Sequence, residues 1–83
     1  MSREEKRIER LKSRPKDYTF SEAASTLRRL GYERIEGAGS RVKFMKDDKR
    51  TISMDRPHPD GNLKAYQLDH IITTLTENGD IND

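Results

Sequence analysis

One histidine in the sequence occupies a position suited to proton transfer. His58 lies in the middle of residues 56–61, which read Arg-Pro-His-Pro-Asp-Gly, and a proline on each side restricts the backbone around it. Histidine gains and loses a proton near neutral pH, so it can serve as a general acid or base. A histidine in a stiff loop can also merely fill a turn or cap the next helix, and the sequence leaves this alternative open.

Basic side chains surround this loop and are candidates for contacts with phosphate: Arg41, Lys43, Arg56 and Lys64, together with the hydroxyl of Ser40. Phosphate contacts supply most of the non-specific affinity for nucleic acid. RNA carries its own nucleophile, the 2′-hydroxyl, so a metal-free ribonuclease needs only a base, a proton donor and cations over the phosphate. The alternative is a basic surface that serves only solubility.

Other reactive groups are scarce. His70 lies among apolar residues of a predicted helix, and we expect it and Tyr66 to have packing roles. The chain has no cysteine, which excludes disulfides and thiolate metal sites. With 83 residues, 30% hydrophobic and 39% charged, it has little room for a large cofactor pocket. We therefore expect neither a metal nor a cofactor.

Charge is distributed unevenly along the chain. Residues 1–17 and 40–64 each have a net charge of +3, residues 18–39 are neutral, and residues 65–83 carry −4. The two positive segments are where a polyanion could dock. No apolar run approaches the length of a membrane span, and the N-terminus is charged where a signal peptide would be apolar. We expect a cytoplasmic protein without membrane contacts.

The elements that would position these residues follow from periodicity. Thr19 and Glu22 form a capping-box pattern, the apolar spacing of residues 20–30 predicts a helix, and Gly31 suits its C-terminal cap. Residues 32–36, 40–45 and 51–55 alternate between apolar and polar side chains, which predicts three strands joined by short turns. Apolar residues from 66 to 75 predict a second helix. The predicted fold is α+β: helix, three-stranded antiparallel sheet, helix, with both helices on one sheet face.

The predicted core combines one face of each helix with the inward positions of the strands: Phe20, Leu27, Leu30, Val42, Phe44, Ile52, Met54, Ile71 and Leu75. Residues 1–17 have only Ile8 and Leu11 as apolar anchors. We interpret them as a charged N-terminal extension, either a frayed helix or disordered, in front of a domain that covers residues 18–83.

Several short stretches in this order resemble one known family. They are Leu30-Gly31-Tyr32, Gly39-Ser40-Arg41-Val42-Lys43-Phe44, Arg56-Pro57-His58-Pro59 and Leu63-Lys64, followed by the final helix. The chain resembles the HicA family of small toxins from bacterial toxin–antitoxin systems, from about residue 18 to residue 79.

The resemblance implies a fold similar to the double-stranded-RNA-binding domain, mRNA cleavage without a metal, and a HicB-type antitoxin as partner. Many members have a histidine directly after the Gly-Ser pair, where this chain has Arg41. Arginine stays protonated in proteins and cannot act as a general base, so His58 becomes the candidate catalytic residue. The alternative, of another class, is a non-catalytic RNA-binding or protein-interaction module on the same fold.

Overall fold

A computed structural model describes residues 3–57 and 61–82 of the chain. Its elements, in chain order, are α1 (Arg3–Lys12), α2 (Phe20–Arg29), β1 (Glu33–Glu36), β2 (Arg41–Met45), β3 (Ile52–Asp55) and α3 (Ala65–Glu77). The predicted succession of helix, three antiparallel strands and helix is confirmed, and a further helix precedes it. None of the described helices is long and apolar enough to span a membrane.

Helix α2 begins and ends where the sequence predicts. The Thr19 hydroxyl accepts a hydrogen bond of 3.1 Å from the backbone N–H of Glu22, which satisfies one of the free amides of the first turn. At the other end Gly31 has a φ of +99°, a left-handed conformation that glycine adopts without strain. The ammonium of Lys46 then donates to the carbonyl of Leu30 at 2.8 Å, which places a positive charge at the helix C-terminus.

The sheet has the order β1-β2-β3, with antiparallel pairing throughout. Val42 lies opposite Met54 and Phe44 opposite Ile52, so these four side chains point to one face and are buried. Strict alternation leaves the opposite face, which we call the outer face, uncovered by helices. One side of the sheet therefore builds the core while the other side meets solvent.

The core contains all of the predicted residues except one that is only partly buried. Phe20, Leu27, Val42, Phe44, Ile52, Met54, Ile71 and Leu75 are buried together with further apolar residues of α2 and α3. Leu30 is partly buried and packs against this cluster. Leu68 of α3, which the predicted core does not include, is 2% exposed.

The N-terminal segment forms a helix that packs on the rest of the molecule. In α1 the side chain of Leu11 is 1% exposed, and Ile8 packs beside it against the core. Arg10 Nε lies 2.7 Å from a carboxylate oxygen of Glu22 on α2. The predicted boundary at residue 17 stays a prediction, but α1 shares its buried surface with α2 and α3.

A polar network fastens the end of α3 to the sheet. The Asp80 carboxylate accepts hydrogen bonds from Lys46 Nζ at 2.7 Å and from the Tyr32 hydroxyl at 2.5 Å. Burial raises the pKa of Tyr32 to about 12, assisted by its bond to this carboxylate. Burial would raise the pKa of Asp80 as well, but the bonds from Lys46 and Tyr32 outweigh burial and hold that pKa below its ordinary value.

Candidate nucleic-acid interface

A pocket of about 330 Å³ opens where β2 and β3 meet α3. It is lined by Arg41, Ser53, Met54, Asp55, Tyr66, Gln67 and His70. The strands contribute a guanidinium, a hydroxyl and a carboxylate, while the helix contributes a phenol, an amide and an imidazole. Among the described residues this pocket, which we call the Arg41 pocket, gathers the groups best suited to act on a phosphodiester.

A tight turn places Arg41 at the first position of β2. The N–H of Gly37 donates to the carbonyl of Arg41 at 2.8 Å, and the N–H of Arg41 donates to that of Ala38. Gly39 has a φ of +64°, which favours glycine at this position of the turn. Arg41 Nε lies 3.8 Å from the carboxylate of Asp55 across the strand pair, and both side chains are mostly exposed. Such an exposed pair is weak, so the guanidinium can engage an anion.

The expected packing roles of Tyr66 and His70 are wrong. Both residues are exposed, Tyr66 by 67%, and both line the Arg41 pocket. They are four residues apart and therefore lie on one face of α3, opposite the face that buries Leu68 and Ile71. The i to i+4 spacing was the signal in the sequence that could have revealed this pair.

Lys64 lies at the start of α3, close to the same pocket. The side chain of Gln67 accepts a hydrogen bond of 2.9 Å from the backbone N–H of Lys64 and donates one of 3.2 Å to the carbonyl of Asp55. Gln67 thereby ties the first turn of α3 to the end of β3. The exposed Lys64 side chain adds a positive charge near the pocket.

Ser40 and Arg56 are adjacent, but Arg56 turns its side chain away from the Arg41 pocket. The backbone N–H of Arg56 donates to the carbonyl of Ser40 at 2.8 Å. Its guanidinium lies 5.4 Å from the ring centroid of Phe20 and 3.4 Å from the carboxylate of Glu36. Ser40 and Arg56, both predicted to bind RNA, are thus neighbours through a backbone hydrogen bond. The positive charge of Arg56 lies near Glu36 and Phe20 and not in the Arg41 pocket.

Lys43 lies on the outer face, two residues beyond Arg41 along β2. Its partners across the strands are Ser53 on β3 and Ile35 on β1. Ile35 and Met45 are 39% and 41% exposed on the same face, so this part of the outer face mixes a positive charge with apolar surface. Lys43 is therefore placed to extend a phosphate-binding surface from the Arg41 pocket along the sheet.

The predicted catalytic residue His58 lies outside the described residues, and its role stays a prediction. Within residues 3–57 and 61–82, no group of three or more His, Asp or Glu side chains is arranged to hold a metal ion.

The family model described as HicA toxin of bacterial toxin–antitoxin systems matches residues 20–76, which is well over half of the chain. The chain belongs to the HicA toxin family. In this HicA protein the match runs from the first residue of α2 into the last turn of α3, so the whole Arg41 pocket falls inside it. Helix α1 precedes the matched region. No curated protein and no solved structure matches the chain.

Proposed function

We propose that this HicA-family protein binds and cleaves mRNA without a metal ion, with the Arg41 pocket as its reaction site and a HicB-type antitoxin as its inhibitor. The observation that carries the proposal is the meeting of Arg41, Tyr66 and His70 in one pocket beside an uncovered sheet face. Membership of a toxin family supplies the biological role, and the chemistry of these side chains supplies the reaction.

Cleavage proceeds by attack of the 2′-hydroxyl oxygen on the adjacent phosphorus. A base removes the hydroxyl proton, the new O–P bond forms, and the bond to the 5′-oxygen breaks as an acid gives that oxygen a proton. The products are a 2′,3′-cyclic phosphate and a 5′-hydroxyl. The guanidinium of Arg41 stabilises the negative charge that builds up on the phosphate oxygens.

Two histidines are available for the two proton transfers. His70 is exposed in the same pocket as Arg41, so a phosphate held by the guanidinium lies within reach of the imidazole. His58 follows the last strand by three residues and is the candidate that the sequence predicts. Because Arg41 cannot accept a proton, we assign the role of base to one of these imidazoles, whose ordinary pKa lies near neutral pH.

Tyr66 in the pocket and the basic and hydroxyl side chains around it bind the RNA rather than react with it. The exposed ring of Tyr66 offers a surface for a base next to the scissile phosphate, since single-stranded RNA is commonly held by stacking on aromatic side chains. Lys43 and Lys64 extend the positive charge to both sides of Arg41, and Ser40 adds a hydroxyl. The guanidinium of Arg56 lies over the ring of Phe20 and away from the Arg41 pocket, so we assign it to a different phosphate of the same RNA strand.

A second candidate function is a non-catalytic RNA-binding or protein-interaction module on the same fold. It is favoured by Arg41 itself, which stands where the resemblance places a catalytic histidine. The exposed apolar side chains of Ile35 and Met45 beside Lys43 also suit a protein partner. Under this reading the protein would bind RNA or a partner chain and leave RNA intact.

Expression of the chain alone in bacteria, with total mRNA integrity followed over time, separates the two functions. Wild type should arrest growth and degrade mRNA, and co-expression with an antitoxin encoded beside its gene should restore growth. Arg41→Ala and His70→Ala should abolish both effects, whereas Lys12→Gln, on α1 far from the outer face, should leave them unchanged. Intact mRNA and normal growth with the folded wild-type protein would favour the binding module.

A further inference from the structure

A second groove, formed by α2 and β1, lies apart from the Arg41 pocket. It has a volume of about 520 Å³ and is lined by Ser21, Ala24, Ser25, Arg28, Arg29 and Arg34. It continues into a smaller pocket lined by Phe20, Ser21, Arg34 and Arg56. Ser21 and Arg34 line both, so the two are neighbours, and together we call them the arginine groove.

The segment that builds this groove has no net charge in the sequence, because its three arginines are balanced by three glutamates. Glu22 bonds to Arg10 of α1, and its pKa is lowered chiefly by that hydrogen bond. Glu36 lies at the far end of the groove, between Arg34 and Arg56. Folding thus pairs Glu22 with α1, while Glu36 offsets part of the positive charge at the Arg56 end of the groove.

The arginines of the groove have unused hydrogen-bonding capacity. Arg28 and Arg29 make no side-chain hydrogen bond or ion pair with any residue that the structure describes. Arg34 donates to Glu36 through Nη2 at 2.8 Å, but its buried Nε has no hydrogen-bond partner among the residues that the structure describes. A buried N–H that lacks an acceptor is costly, and a ligand oxygen would relieve that cost. Arg7 of α1 adds a further guanidinium at the rim, 3.3 Å from the Ser25 hydroxyl.

The side chains that line the groove favour a ligand that carries phosphate groups. Planar guanidinium groups match phosphate oxygens in a bidentate geometry, and the Ser25 hydroxyl, which accepts from Arg7, can donate a further hydrogen bond. Among the described residues that line the larger section, Ala24 is the one apolar side chain, so an apolar peptide segment would find little to bury there. A chain of phosphates fits better, since the groove presents successive cations from Arg28 and Arg29 through Arg34 to Arg56.

We infer that the arginine groove is a second phosphate-binding site, which holds the RNA backbone at a distance from the reacting nucleotide. The groove ends at Arg56, whose backbone is bonded to Ser40, next to Arg41 in the chain. An RNA strand that follows the groove would pass around this end of the sheet to reach the Arg41 pocket. The inference rests on the proposed function for the identity of the ligand. It adds that an RNA must be long enough to reach the groove in order to bind with full affinity.

Binding of RNA, measured by fluorescence anisotropy without any need for cleavage, tests the groove directly. The probes are a single-stranded RNA of about 16 nucleotides, long enough to reach from the pocket into the groove, and a tetranucleotide. Arg28→Gln/Arg29→Gln should weaken binding of the longer RNA roughly tenfold and lower its salt slope by about 1.4, the equivalent of two phosphate contacts. Binding of the tetranucleotide should not change.

The matched control is Lys12→Gln/Lys49→Gln, which removes the same charge from other surfaces. If the groove variant binds the longer RNA with the affinity and salt slope of this control, the inference is wrong. If the groove variant keeps RNA affinity and instead loses affinity for the antitoxin, the groove binds an acidic protein segment and the RNA assignment is overturned. If wild type does not cleave RNA but binds the longer RNA more tightly than the tetranucleotide, only the proposed cleavage is contradicted and the groove inference stands.

Discussion

At the scale of single residues, the clearest electrostatic consequence concerns Asp80. Its side chain is 10% exposed and bonds to Lys46 and Tyr32, and these bonds keep its pKa below the ordinary value of 3.8. A carboxyl group whose pKa is lower in the folded state stabilises the fold above its unfolded pKa. This contribution is lost as the pH falls through the folded value.

Asp80→Asn should therefore lower the free energy of unfolding at pH 7 by roughly 1.5–3 kcal/mol, the range for hydrogen bonds to charged groups. Denaturant unfolding at a series of pH values measures the effect, and the wild-type and variant curves should converge in acid. Asp69→Asn is the control, because Asp69 is a mostly exposed partner of Arg14 and should change stability by less than about 1 kcal/mol. A difference between wild type and Asp80→Asn that stays constant down to pH 2 would contradict the pKa assignment.

Residue-level prediction from sequence succeeded for the strands and failed for two exposed positions of the last helix. Val42 and Phe44 were assigned correctly because period-two alternation defines a face directly. Tyr66 and His70 were misassigned, since two exposed positions on an amphipathic helix were grouped with apolar neighbours such as Leu68. No sequence pattern indicated that the face carrying them would meet Arg41, because that contact depends on how α3 packs against β3.

At the scale of elements, helix α1 is an integral part of the packed structure. Two apolar residues in a charged segment gave no reason to expect packing, because the sequence does not show which surface they would meet. The structure provides that surface: Leu11 enters the core between α2 and α3, and Arg10 and Arg14 form ion pairs with those helices.

Leu11→Ala should consequently destabilise the protein by roughly 2–5 kcal/mol, as expected for truncation of a fully buried leucine. Thermal and denaturant unfolding measure the change. Ile8→Ala, at a position only partly buried, should cost distinctly less. Equal and negligible effects of both substitutions would mean that α1 is a loosely attached arm.

At the scale of the whole molecule, positive charge is divided between the outer face and the arginine groove. The sequence indicated the first of these from the basic residues of 40–64, and Arg41, Lys43 and Lys64 are exposed there as expected. It gave no hint of the second, because residues 18–39 are neutral overall and only the folded arrangement separates their charges. Net charge along a chain is thus a poor guide to charge on a surface.

RNA affinity should fall steeply with salt, because binding releases counterions from the phosphates. Arg41→Ala and Lys43→Ala should each weaken binding and reduce the slope of log affinity against log salt concentration by about one. Titrations of a fluorescent RNA at several salt concentrations give these slopes. An affinity that does not depend on salt would show that the outer face is merely solvated.

The central claim is that the Arg41 pocket cleaves RNA without a metal, and the rate of cleavage by purified protein in the presence of EDTA tests it most directly. Wild type should cleave a model RNA and leave 2′,3′-cyclic phosphate ends. His70→Ala, His58→Ala and Arg41→Ala should each lower the rate by roughly 10²–10⁴-fold while melting like wild type, and Lys12→Gln should retain full activity. Full activity of His58→Ala would remove that residue from the mechanism. Full activity of both folded pocket variants, His70→Ala and Arg41→Ala, would contradict the account.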